Sequence, residues 1–105
     1  MVNQFEIYWV SLDPTRGSEI KKTHPCVILS PKEMNNGLKT VIIAPLTSTI
    51  REFPTRVDVS VKGKKGQVVL DQLRTVDKNR LGTKLGKLNQ GNSAEVKKIL
   101  LEMFQ

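Results

Sequence analysis

The chain reads as a mainly β protein: a small, mostly antiparallel sheet curled into a barrel, with a terminal helix packed at one side. Three observations point there. Short apolar runs recur along most of the 105 residues, several of them alternating with a period of two. Proline, glycine and an Asn-Gly pair punctuate those runs at short intervals. Only the last segment carries an apolar stripe with helical spacing. Propensity leaves the strand order open.

The first strand is predicted where Phe5, Ile7, Trp9 and Ser11 alternate with Tyr8, Val10 and Leu12. Asp13-Pro14 stops it, because proline lacks a ladder donor and biases the preceding residue toward extended geometry. A polar, cationic loop follows, with Thr15, Arg16, Gly17, Ser18, Glu19, Lys21, Lys22, Thr23 and His24. Pro25 opens a second apolar run, Cys26-Val27-Ile28-Leu29, which Ser30-Pro31 ends. Two strands thus hold a loop that carries the chain's only histidine, and loops on rigid strands often carry chemistry.

Residues 32–37 read as a helical turn or loop, with Asn36-Gly37 marking a tight turn of positive φ. Thr40 to Ala44 shows no polar alternation, so both faces should be covered. Pro45 ends or bends that strand and leaves Thr47, Ser48 and Thr49 at its mouth. After a loop at 51–54, Arg56 to Val61 alternates with the valines inward. Lys62 to Gly66 is a cationic turn, and Gln67 to Leu70 is a strand leading into Asp71–Asp77.

Residues 78–88 are less regular. Leu81, Leu85 and Leu88 offer anchors, while Gly82 and Gly86 argue against a long helix. In the last segment Asn92 or Ser93 can cap a helix, with Glu95 at capping-box spacing from Asn92. Val96, Ile99, Leu100, Met103 and Phe104 form its apolar stripe, suited to a core or a dimer seam. No repeat or linker interrupts the chain, so residues 1–105 are expected to be a single domain.

Charge is the strongest compositional signal. Seventeen Lys and Arg against ten Asp and Glu leave +7, which favours polyanionic partners, nucleic acid first and an acidic protein segment second. Aromatic residues are only 5%, too few for a platform that stacks many bases. The one cysteine, Cys26, sits among apolar neighbours and reads as a buried small hydrophobe. No basic segment precedes an apolar run at the N-terminus, and no apolar stretch approaches the ~20 residues of a membrane span. A cytoplasmic protein without a membrane partner is expected.

Several chemistries lack their parts. One histidine and one cysteine without a carboxylate cluster match no tetrahedral zinc site or two-metal site, so no cofactor is expected. Neither a G-x-x-x-x-G-K-[ST] phosphate loop nor a G-x-S-x-G elbow is present. Metal-free RNA cleavage stays open, because the RNA supplies its own nucleophile, the 2′-hydroxyl. Such cleavage needs a base, an acid, and donors or cations for the crowded phosphate. His24, Thr47, Asp71, Arg74 and the loop cations Arg16, Lys21 and Lys22 provide those types.

Leu12-Asp13-Pro14-Thr15-Arg16-Gly17-Ser18-Glu19, followed by Pro25 and Val27-Ile28-Leu29-Ser30-Pro31, resembles the opening of the MazF/PemK/Kid family of ribonuclease toxins. Ala44-Pro45-Leu46-Thr47-Ser48 and the segment Val68 to Asp77 match further family motifs in the same order. The resemblance implies an SH3-like barrel of the CcdB/PemK type, assembled as a homodimer. It also implies cleavage of single-stranded RNA, control by an acidic antitoxin protein, and contact with DNA only through that antitoxin.

Carried over by position, the resemblance gives a partial site. MazF-like members usually have an arginine before this proline as catalytic acid or base, and here the position is His24. Their catalytic threonine falls on Thr47. The catalytic aspartate of Kid-like members corresponds to Asp71, but their partner arginine falls on Val69 and their loop histidine on Ser18. Gln72 and Arg74 match positions that contact RNA, and Glu19 matches a loop acid near the substrate. Arg16, Ser18, Lys21, Lys22, Thr23 and Ser48 complete the expected RNA-binding set. Two alternatives stay open: a barrel that grips RNA or protein without cleaving, its arginine lost, and a gyrase-poisoning protein like CcdB.

Overall fold

A computed structural model describes residues 1–105. Seven strands are β1 (Glu6–Ser11), β2 (Thr23–Ile28), β3 (Thr40–Thr47), β4 (Arg56–Val61), β5 (Lys64–Val69), β6 (Arg74–Asp77) and β7 (Leu81–Lys87). Two α-helices are α1 (Lys32–Gly37) and α2 (Gln90–Met103), and short 3-10 turns cover Leu70–Gln72 and Lys78–Arg80. All strand pairs are antiparallel, in the order β4-β5-β3-β2-β1-β7, with β6 also on β3. The expected curled antiparallel sheet with a terminal helix is what the chain forms.

β3 organises the sheet. One side pairs with β2 from Ile43 to Pro45. The other side pairs first with β6, from Thr40 to Ile43, and then with β5, at Leu46 and Thr47. Pro45 falls in the gap between those two partners, where a ladder would otherwise ask for the N–H that proline lacks. It therefore bends the strand without ending it, and the change of partner curls the sheet.

Both faces of the central strands are buried, as the unbroken apolar runs imply. Ile7, Val27, Leu29, Ala44, Leu46, Val57, Val59, Val68 and Leu70 form one core, closed by Val96 of α2. Ile99, Leu100 and Met103 pack against it at helical spacing. Alternate residues of the same strands, Val10, Leu12, Cys26, Ile28, Val41 and Ile43, form a second core with Val76. Ile20 of the loop between β1 and β2 packs on that core, so the loop serves as its cover.

Several elements differ from their sequence expectations. Strand β2 begins at Thr23, so Thr23 and His24 belong to the strand and not to the loop, paired with Ser11 and Val10. Pairing with β1 carries the strand through Pro25, which is tolerated because β3 joins only from Cys26 onward. Gly37 closes α1 without a positive φ. The cationic turn shrinks to Lys62 (φ 51°) and Gly63 (φ 80°), the left-handed pair that a two-residue hairpin requires. Residues 74–77 and 81–87 are strands, β7 pairing with β1 through irregular register that its glycines accommodate. Helix α2 starts earlier than expected, capped by Asn89, whose Oδ1 accepts from the Asn92 N–H at 2.7 Å. Phe104 lies outside the core at 72% exposure.

One buried charge is tied to the β1–β7 seam. The Glu6 carboxylate accepts from Asn3 N–H at 2.7 Å and from the Tyr8 hydroxyl at 3.0 Å, and it pairs with Lys84. Burial alone pushes this carboxyl up, but Lys84, Asn3 and Tyr8 together outweigh it and hold the group at about 2. Its folded value lies below the ordinary 4.5, so the stabilisation is present above about pH 4.5 and lost as pH falls toward 2. Acid unfolding followed by circular dichroism should therefore show a loss of stability across that window. Glu6→Gln should be less stable at neutral pH and flatter across the same window. An unchanged acid slope in Glu6→Gln would remove Glu6 as its source.

Candidate active site

The mouth of the curled sheet is a groove of about 560 Å³ between the β1–β7 edge and the β4–β5 hairpin. Trp9, His24, Pro25 and Leu85 line one side, and Val61, Lys62, Lys64, Lys65 and Gly66 the other, with Leu46, Thr47, Ser48 and Thr49 at the base. His24 and Thr47, far apart in sequence, thus share one groove because their strands are neighbours across Pro45 and Cys26.

Local structure sets the threonine. Thr47 is half-buried at the end of β3, and its hydroxyl oxygen accepts from the Thr49 N–H at 3.1 Å. Across the sheet β5 approaches unusually closely. A methyl group at Gly66 would stand 2.6 Å from the Thr47 carbonyl oxygen, so the absence of a side chain there allows the contact.

Thr47 and Thr49 also line a second hollow with Ser18, Ile20, Arg51, Phe53, Arg56, Asp71 and Gln72. Asp71 is already engaged in it: its Oδ1 accepts from Thr55 Oγ1 at 2.8 Å and from Arg56 Nε at 3.1 Å. It does not line the groove that holds His24. The three expected catalytic residues therefore divide between two hollows, with Thr47 facing both.

The expected RNA-binding residues also divide. Gln72 accepts from the Ile20 N–H at 2.8 Å and donates to the Ser18 carbonyl at 3.4 Å. Arg74 donates to the Leu12 carbonyl at 3.0 Å. Arg80, not expected in any site, donates to the Ser11 carbonyl at 3.0 Å and also to that of Asp13. These three side chains tie the β1–β2 loop to the segment after β5. Glu19 closes a turn within the loop by accepting from the Arg16 N–H at 2.6 Å. Arg16, Ser18, Lys21, Lys22 and Thr23 are exposed, and Ser48 is exposed at the groove base.

Sequence reasoning missed several residues that line the groove. Trp9, 38% exposed, faces the groove from a strand position that alternation alone assigns to a core. Lys62, Lys64 and Lys65 read as a turn but line the groove wall. The hairpin signal at Lys62-Gly63 could have aimed them, had the opposite edge been known. Cys26 behaves as expected: it is fully buried, and burial pushes its thiol to about 12 although Arg74 pulls the other way.

A curled sheet with this groove and a surplus of cations suits a polyanionic ligand, and comparison with known proteins supplies the class: a toxin of the type II toxin–antitoxin kind. The family described as PemK-like, MazF-like toxin of type II toxin-antitoxin system matches residues 3–104, and the chain belongs to it. The Endoribonuclease MazF of Staphylococcus epidermidis is 34% identical over 102 residues, covering 91% of this chain and 85% of that protein. The crystal structure of MazF from Deinococcus radiodurans superposes with a TM-score of 0.86 at 25% identity, over 98% of this chain and 96% of that one. A mycobacterial endoribonuclease in complex with its cognate antitoxin shares the fold, with a TM-score of 0.85 at 23% identity over 99% and 95% of the two chains.

Proposed function

We propose that the chain is a sequence-selective endoribonuclease toxin that cuts single-stranded RNA without a metal ion. The observation that carries this reading is that His24 and Thr47 line one groove walled by lysines, in a member of a toxin family. The 34% identical staphylococcal relative, an endoribonuclease, supports the same activity. The RNA 2′-oxygen attacks the adjacent phosphorus, and the bond from phosphorus to the 5′-oxygen breaks. A proton leaves the 2′-oxygen and another reaches the 5′-oxygen, giving a 2′,3′-cyclic phosphate and a 5′-hydroxyl.

His24 carries one of those protons. An imidazole nitrogen can accept or give up a proton, and a histidine can also donate to phosphate. Thr47 donates its hydroxyl to the crowded phosphate, and Lys62, Lys64 and Lys65 draw in the flanking backbone. Asp71, held by Arg56, acts through the second hollow, where it orders the floor beside Thr47. Arg16, Lys21 and Lys22 on the β1–β2 loop extend the cationic track. Gln72 and Arg74 serve the substrate by holding that loop.

Two assemblies go with this reading. An acidic antitoxin occupies the same basic groove and competes with RNA; the complex of the mycobacterial relative supports such a partner. Any link to DNA runs through that antitoxin. A homodimer accounts for Leu101 on α2 and Phe104 just past its end, large apolar side chains left exposed.

Four measurements test these proposals. In chelator, the parent should cut a long mixed-sequence RNA at a short motif, leaving cyclic or 3′-phosphate ends. His24→Ala should lose about 10²–10⁴ in rate, and Thr47→Ala should lose less. Parental cleavage by His24→Ala would move the proton transfer elsewhere, with Asp71 and Arg74 first in line. Titration with an acidic antitoxin should release bound RNA, more weakly as salt rises; a ternary complex would refute a shared groove. Sedimentation at micromolar concentration should give a dimer, and a fully active monomer would exclude the assembly.

A further inference from the structure

We propose that Gln67 is a positioning residue for the reaction at Thr47, acting through the backbone of Arg51. This inference rests on the endoribonuclease reading above.

Gln67 is a polar side chain in a buried stretch of β5, only 4% exposed. An amide so placed is retained only if its polar atoms are satisfied, and here they are satisfied by a loop. Its Oε1 accepts from the Arg51 N–H at 3.1 Å, and its Nε2 donates to the Arg51 carbonyl at 3.0 Å. The second Nε2 hydrogen goes to Asp58 Oδ1 at 2.8 Å. A flipped amide would set its NH2 against the Arg51 N–H and its oxygen against the Asp58 carboxylate, so the bonding determines its orientation.

The location gives the latch its purpose. Gln67 is the cross-strand partner of Thr47 on β3 and of Asp58 on β4. The residues between those strands, 48–55, form the loop on which Thr49 fixes the Thr47 hydroxyl. Grasping Arg51 by both its N–H and its carbonyl does for that loop what a neighbouring strand does for a sheet residue. It also aims the Arg51 side chain into the hollow shared with Thr47 and Thr49. The Arg51 guanidinium makes no bond to any other residue, so it remains available to a substrate phosphate, whereas Arg56 beside it is paired with Asp71. Gln67 touches no substrate. It sets where Thr47 and Arg51 meet one.

The test compares the parent with Gln67→Met, which keeps the shape and removes all three bonds, and with Val57→Ala, which loosens the apolar core beneath the same β4–β5 hairpin without touching those bonds. Gln67→Met should lose roughly 10–100-fold in kcat/KM, as expected when a reacting group drifts by about an ångström. Val57→Ala should cleave like the parent at a temperature where both variants are folded. Losses that simply track stability in the two variants would overturn the positioning role, as would parental cleavage by Gln67→Met. Should Gln67→Met fail to fold, hydrogen exchange on the parent decides: the Arg51 amide should be protected like the β5 amides, and exchange at open-loop rates would refute the latch. If the parent leaves RNA intact, the ribonuclease reading itself falls; if only Gln67→Met and the parent are equal, that reading stands and the positioning role does not.

Discussion

A proline in the middle of the central strand is the constraint from which much of this architecture follows. Pro45 cannot donate to a ladder, yet β3 is buried on both faces and flanked on both edges. The chain resolves this by giving one edge of β3 two successive partners, β6 and then β5, with the proline at the handover. A sheet that changes partner partway along a strand must curl, and its open mouth falls where β3 runs out at Thr47. The same handover brings β5 against Thr47, where Gly66 makes room. Groove and strand bend are thus one feature.

The cations differ in whether they are bonded within the chain. Arg56, Arg74, Arg80, Lys78 and Lys84 are bonded to carboxylates or carbonyls of the chain itself. They hold the loop, the 3-10 turns and the β1–β7 seam in place. Lys62, Lys64, Lys65, Arg51, Arg16, Lys21 and Lys22 make no side-chain bond within the chain, and the first four line the two hollows around Thr47. A net charge alone could not separate the cations bonded within the chain from those left without a partner in it. Only the bonding partners do that.

The sequence made the buried strands legible because burial on two faces leaves unbroken apolar runs, as in Val41 to Ala44 and Cys26 to Leu29. It made α2 legible through the spacing of Val96, Ile99, Leu100 and Met103. β7 was hidden because it is an edge strand, half-exposed and irregularly paired, so neither alternation nor an apolar run marks it. By sequence His24 belongs to the loop because Pro25 looks like a boundary, and only the one-sided pairing of β2 at that point explains why it is not one. His24 and Thr47 were legible as candidates from residue type and family likeness. Trp9, Gln67 and the hairpin lysines were not, since their roles depend on which strands end up opposite one another.

Cys26 lies directly behind this site, with its thiol shielded from solvent and kept protonated, and its sulfur 3.5 Å from the His24 carbonyl oxygen. Thiol-directed dyes and spin labels have nothing to react with on the folded surface. A cysteine installed at any exposed position would therefore be modified alone, with no need to remove the native one. Trp9, the only indole in the chain, already sits in the groove as an intrinsic emitter. Between them, a silent thiol and a solitary fluorophore make the unaltered protein a ready instrument for distance measurements across its own cleft.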